Sequence, residues 1–112
     1  MIQLTHQTVI QLAVEPVDFR KQTDGLIALC ENAFCCDPRC GTLFVFINRG
    51  RTMIRLLSYE DNGYWLATKR LSRGRYQDWP RSAKDLCDIK ASRLRQLLKN
   101  ANRPEKYVTG DD

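Results

Sequence analysis

Asn62-Gly63, preceded by Glu60 and Asp61, lies between two apolar-rich runs at 51–59 and 64–71. Both turn residues tolerate positive φ, so the dipeptide commits the flanking runs to an antiparallel hairpin. With Asn62 and Gly63 as the two turn residues, Tyr59 falls opposite Leu66 and Leu57 opposite Thr68. Upstream, TLFVFIN at 42–48 is apolar at successive positions and reads as a central strand covered on both faces. Asn48-Arg49-Gly50 then makes a tight turn into the hairpin. This meander carries most of a sheet.

The remaining elements are weaker signals. TVIQLAV at 8–14 mixes β-branched and apolar residues, stops at Pro16, and reads as a first strand. Asp18 is a candidate cap for a helix over about 18–35, whose apolar positions Phe19, Leu26, Ile27, Cys30, Ala33 and Phe34 recur at spacings of three, four and seven. Gly25 inside it costs up to about 1 kcal/mol relative to alanine, which implies close packing on a flat surface. DPRCG at 37–41 ends the element. Residues 75–79 suggest a short edge strand before Pro80. From 80 to about 90 the chain is polar and irregular, with Leu86 and Cys87 as anchors. A last helix over about 91–101 sets Leu94, Leu97, Leu98 and Ala101 on one stripe and Arg93, Arg95, Gln96 and Lys99 on the other.

The expectation is one α+β domain over 1–101, followed by a polar, flexible tail at 102–112. Its sheet is mainly antiparallel with four to five strands in the order β-α-β-β-β-α. Two helices pack on it, gathered on one side.

Net charge is +5, and its placement says more than its size. Residues 1–47 carry three Lys/Arg against five Asp/Glu, residues 48–81 eight against three, and residues 82–112 seven against five. The basic excess is therefore concentrated in the middle third, which favours an anionic partner at one face. Within it, KRLSRGRYQDWP at 69–80 sets Lys69, Arg70, Arg73 and Arg75 beside Tyr76 and Trp79, and Arg49 and Arg51 occupy the preceding turn. Guanidinium groups fork onto phosphates, and flat rings lie on unstacked bases. The bland reading of the same residues is a solvated basic surface with Trp79 as a core anchor.

Catalytic chemistry finds little support. His6 is the one histidine, near the N-terminus, so any Ser-His-Asp or Cys-His arrangement depends on it. The six glycines lie singly at turns and form no phosphate loop. Cys30, Cys35, Cys36 and Cys40 fall within eleven residues, yet two are adjacent and one lies on an apolar helix face, so they read as small hydrophobes rather than zinc ligands. Asp18, Asp24, Asp37, Glu60 and Asp61 show no spacing suited to a two-metal nuclease. No catalytic residue, metal or cofactor is expected. Five cysteines leave an odd one over and read as thiols of a reducing compartment. No apolar stretch reaches the roughly 18–20 residues that cross a bilayer, and the first residues have no basic leader, so the expected location is the cytosol.

Several blocks together carry a resemblance. DFRKQTDGL at 18–26, DPRCGTLFVFINR at 37–49, DNGYWLATKRLSRGRY at 61–76 and the Trp79-Pro80 pair are similar, in order and spacing, to the Orf-two-like accessory proteins of insertion sequence 66, the TnpB of that element. These are unrelated to the RNA-guided nucleases that share the short name. The resemblance covers about residues 8–100. It implies a cytoplasmic bacterial mobile-element protein, encoded beside a transposase and needed for efficient transposition, with no established biochemical activity. Asp18, Arg20, Lys21, Asp24 and Gly25 match the first block, and Phe44, Val45, Phe46 and Arg49 the second. Gly63, Lys69, Arg70, Leu71, Gly74, Arg75, Trp79 and Pro80 match the third. The family has no agreed catalytic or binding residues, so no role transfers with them. The chain departs from the pattern at Arg55, where relatives commonly have lysine, at the turn Tyr59-Glu60-Asp61-Asn62, and at Cys35, Cys36 and Cys40.

Three readings follow. The first is a non-catalytic accessory protein of transposition that touches DNA, such as the element ends, or the transposase through Arg49, Arg51, Lys69, Arg70, Arg73, Arg75, Tyr76 and Trp79. The second is a protein-only interaction module of the transposition complex, with Arg70 and Arg75 facing acidic residues and Trp65, Tyr76 and Trp79 as anchors. The third makes the charged blocks structural, with Asp18 or Asp24 paired across the core to Lys69 or Arg70.

Overall fold

The computed structural model describes residues 3–99 and the backbone of 101–102. The flexible tail expected over 102–112 lies outside the described residues from 103 onward. In chain order the elements are β1 (Ile10–Ala13), α1 (Thr23–Asn32), β2 (Leu43–Ile47), β3 (Met53–Glu60), β4 (Gly63–Arg70), β5 (Arg75–Tyr76), β6 (Leu86–Ile89), α2 (Ala91–Lys99) and β7 (Ala101–Asn102). Five of the strands form one sheet in the order β4-β3-β2-β1-β6, and β5 pairs with β7. The α+β class expected from sequence is the observed one.

The fully apolar run is the middle strand. All five residues of β2 are buried, and their alternation divides the core. Leu43, Val45 and Ile47 pack with Ile10, Leu12 and Ile54 against Ala91, Leu94 and Leu97 of α2. Phe44 and Phe46 pack with Ala13, Phe19 and Leu57 against Leu26 and Cys30 of α1. The helices therefore cover opposite faces of the sheet, not one side as expected. A strand apolar on both faces requires cover on both. The helix α1 is the crossover that makes β1 parallel to β2, while β2–β3, β3–β4 and β1–β6 are antiparallel.

The first helix starts late. Val17 still bridges to Asn48 in the parallel direction, and its N–H donates to the Ile47 carbonyl at 2.9 Å. The Asp18 carboxylate is engaged by the Arg20 backbone N–H at 2.9 Å and by its guanidinium at 2.7 Å. Asp18 is thus no helix cap; the N-cap position falls at Gln22. Phe19, expected on the helix, instead enters the core from the preceding loop. Gly25 meets no flat surface either: a Cβ there would lie 3.0 Å from the Cβ of Lys21. At the other end Cys35 takes a φ of 52°, and the helix stops at Asn32 instead of reaching 35.

The hairpin closes one residue earlier than Asn62-Gly63 suggests. Glu60 pairs with Gly63, Tyr59 with Tyr64 and Leu57 with Leu66, so Asp61 and Asn62 are the turn residues. Asp61 takes the positive φ, 58°. The observed register sets Leu57 beside Leu66 rather than Thr68, and both pack on the α1 side.

Residues 86–89, expected to be irregular, form β6. Their pairing with β1 sets Gln11 opposite Asp88 and Leu12 opposite Cys87, and the Gln11 amide donates to the Asp88 carboxylate. A four-residue edge strand of this kind is specified by its neighbour, not by local propensity. The edge strand expected over 75–79 is confined to Arg75–Tyr76, because Asp78 adopts a φ of 61° and the chain bends. Ala101 leaves the helical stripe to pair with Tyr76 in β7.

Candidate nucleic-acid or partner interface

The turn between β2 and β3 is built around Asn48. Its side-chain oxygen accepts from the backbone N–H groups of Thr52 and Met53, both at 2.9 Å, and its amide donates to the Thr52 hydroxyl at 3.0 Å. Arg51 takes a positive φ of 59° within it. The segment after β4 is tied to the same turn: Leu71 N–H donates to the Thr52 carbonyl at 2.9 Å, and Tyr76 N–H to the Arg51 carbonyl at 2.8 Å. Lys69 and Arg70 lie opposite Ile54 and Met53, at the start of β3.

These connections bring Arg49, Arg51, Lys69, Arg70, Arg73 and Arg75 to one end of the sheet. Arg51 is half-buried and the other five are exposed. The Lys69 ammonium turns toward α2, where it donates to the Leu98 carbonyl at 3.0 Å, a favourable position for a cation at a helix C-terminus.

The two rings expected beside the cations are elsewhere. Tyr76 is 1% exposed and Trp79 8%, and both belong to the core on the α2 side. The Tyr76 hydroxyl donates to the Lys69 carbonyl at 3.3 Å, and Trp79 Nε1 donates to the Ala13 carbonyl at 3.1 Å. Both rings clamp the basic segment to the sheet. Neither has a face open for stacking.

The charge network proposed across the core is also absent from the described residues. Asp18 pairs with Arg20 at 2.7 Å and Asp37 with Arg39 at 3.7 Å, each within two residues in sequence. The hydrogen bonds from Arg20 hold the Asp18 carboxyl at about 2, below the ordinary 3.8. No charged side chain among the described residues is buried, and Arg70 and Arg75 stand in solvent.

Three further arginines join the surface. A groove of about 950 Å³ beside Trp79 and Pro80 is lined by Arg51, Arg81 and Arg93 together with Glu15 and Asp78, and Arg93 donates to the Asp78 carbonyl at 3.1 Å. A second groove, of about 520 Å³, sets Arg20 near Arg49 on the α1 side. Arg81 directly follows the Trp79-Pro80 pair, a position that sequence reasoning passed over. Nothing in the spacing of Arg93, on the polar stripe of a helix, points to this groove.

Arg55 is the structural residue that charge counting missed. Its guanidinium Nη1 donates to the carbonyls of Phe19 and Lys21 at 2.8 and 2.7 Å, and Nε donates to the Thr68 hydroxyl at 3.0 Å. It thereby pins the loop before α1 onto β3 and β4.

The thiols divide by environment. Cys30 is fully buried, and burial pushes its thiol up to about 12. Cys36 is half-buried and raised for the same reason, whereas Cys35 and Cys40 are exposed. Among the described residues no three His, Cys, Asp or Glu side chains are placed to hold a metal ion together, and no helix is long and apolar enough to cross a membrane.

Comparison with known proteins bears on this arrangement. The chain is 39% identical over 67 residues to the uncharacterized protein y4jC of Sinorhizobium fredii, a match covering 60% of this chain and 57% of y4jC. It is 29% identical over 89 residues to the uncharacterized protein y4hO of the same organism, covering 80% of this chain and 76% of y4hO. No solved structure matches the chain. The family model described as IS66 Orf2 like protein matches residues 8–106. Because that match runs from the first strand beyond the second helix, the chain belongs to the IS66 Orf2-like family and is an insertion-sequence accessory protein.

Proposed function

We propose that this accessory protein acts without catalysis of its own, by binding the phosphate backbone of DNA through the basic end of its sheet. The observation that supports this reading is the convergence of Arg49, Arg70 and Arg75, all exposed, on a turn fixed by Asn48. Arginine is suited to this task because its planar fork matches two phosphate oxygens at once. Burial of Tyr76 and Trp79 argues for contacts to phosphates rather than stacked bases, so the binding carries little sequence information by itself. Selection of the element ends would then fall to the transposase, the expected protein partner.

Contact with about six phosphates makes affinity fall roughly 10³-fold between 50 and 200 mM salt. Fluorescence anisotropy with element-end duplex, random duplex and single-stranded DNA at these two salt concentrations tests the reading. Replacing Arg49, Arg70 and Arg75 together with alanine should weaken binding to both duplexes and flatten the salt dependence. Unchanged affinity of the triple variant would overturn it. Co-purification with the transposase after nuclease treatment, lost in the same variant, would instead favour a protein-only contact at this end.

A further inference from the structure

Among the described residues the outer edge of β4 is a hydrogen-bonding ladder with no strand beside it. The Glu60–Gly63 pair closes a two-residue turn, so Gly63, Trp65, Ala67 and Lys69 exchange backbone bonds with β3. The N–H and C=O groups of Tyr64, Leu66, Thr68 and Arg70 point the other way. The bond from Leu71 N–H to the Thr52 carbonyl continues the same phase. Among the described residues β4 has no neighbour on that side. It is eight residues long and contains no proline.

Natural edge strands are usually blunted by charges, bulges or proline. Here the strand's own cations, Lys69 and Arg70, sit at one end, and the acidic pair Glu60 and Asp61 borders the other. A strand polarised in this way is complementary to itself when antiparallel and repels itself when parallel. Trp65, 49% exposed, stands near the acidic end.

We propose that two copies of this chain pair through β4, antiparallel and about a twofold axis at Ala67, to form one continuous ten-stranded sheet. In this register Leu66 lies opposite Thr68 of the second copy, Trp65 opposite Lys69, and Tyr64 opposite Arg70. Arg70 then lies beside the Tyr64 ring, and Lys69, on leaving the Leu98 carbonyl of its own chain, lies beside Trp65; symmetry repeats both contacts. The axis falls at a non-hydrogen-bonded pair, where the strands approach most closely. Ala67, small and exposed, fits there. Moving the axis to Leu66 or Thr68 would lose both ring–cation pairs. A single shared ladder buries less than the roughly 1,200–2,000 Å² of a standard interface, so the dimer should dissociate in the micromolar range. The inference does not depend on DNA binding.

Sedimentation of the full chain without nucleic acid, from about 5 to 500 μM, should show a monomer–dimer equilibrium. Ala67→Lys sets two ammonium groups against each other on the axis and should weaken the dimer at least tenfold, with the far-ultraviolet dichroism unchanged. Under mild oxidation Ala67→Cys should give a 67–67 crosslink by peptide mapping that the parent chain, with its native thiols, does not give. Lys69→Cys should give no 69–69 crosslink. A monomer at every concentration, a dimer indifferent to Ala67→Lys, or a 69–69 crosslink in place of 67–67 would overturn the proposal.

Discussion

The guanidinium carbon of Arg55 sits 4.5 Å from the centroid of the Phe19 ring, joining β3 to a loop 36 residues earlier in the chain. The contact explains how a stretch without regular structure enters the core. Phe19 supplies the apolar surface and a π face, and Arg55 satisfies the carbonyls of Phe19 and Lys21 that this path leaves without a helical partner.

Arg55→Ala should therefore destabilise the fold by about 2 to 4 kcal/mol, from the lost charged hydrogen bonds and the cation–π contact. Arg55→Lys should recover only part of this, since an ammonium cannot span the same three acceptors. Urea unfolding followed by tryptophan fluorescence measures both. Equal stability of the alanine variant would show that the loop is held by packing alone.

The β3–β4 turn offers a paired test. Asp61, not Asn62 or Gly63, carries the positive φ, so Asp61→Gly should stabilise the protein by about 0.5 to 1 kcal/mol. A Cβ on Gly63 meets nothing within 4 Å, so Gly63→Ala should change stability by less than about 0.5 kcal/mol. Thermal melts of the two variants would show the reverse ranking if Gly63 were a turn residue.

Trp79→Phe removes the bond to the Ala13 carbonyl and part of the ring from the core, at a cost of about 2 kcal/mol. Anisotropy on single-stranded DNA should be the same as for the parent chain while the fold is intact. A weaker complex from a folded variant would mean that the ring reaches a base after all.

Asp18 provides a pH signature. Its carboxyl lies at about 2 in the folded chain against an ordinary 3.8, chiefly because the Arg20 side chain donates to it. A depressed folded value means that the stabilisation is present above the unfolded value and is lost as pH falls through the folded one. Asp18→Asn should thus differ from the parent by a constant amount at neutral pH, and the two should converge between about pH 4 and pH 2. Parallel unfolding midpoints down to pH 2 would remove the Asp18–Arg20 contact from the account.

The family, the α+β class, the central strand and the middle-third concentration of positive charge were all determined by the order of residues. An uninterrupted apolar run such as 43–47 is stable only as a covered strand, and clustered arginines close in sequence stay close in space. The tertiary structure decided the rest. Tyr76 and Trp79 differ from surface aromatics only in what packs over them, and α2 supplies that cover from residues 91–97. The strand at 86–89 exists because β1 offers it an edge. The helix begins at Thr23 because Val17 remains paired beside β2. Local propensity is worth a fraction of a kcal/mol per residue, and a long-range pairing or a buried ring outweighs it.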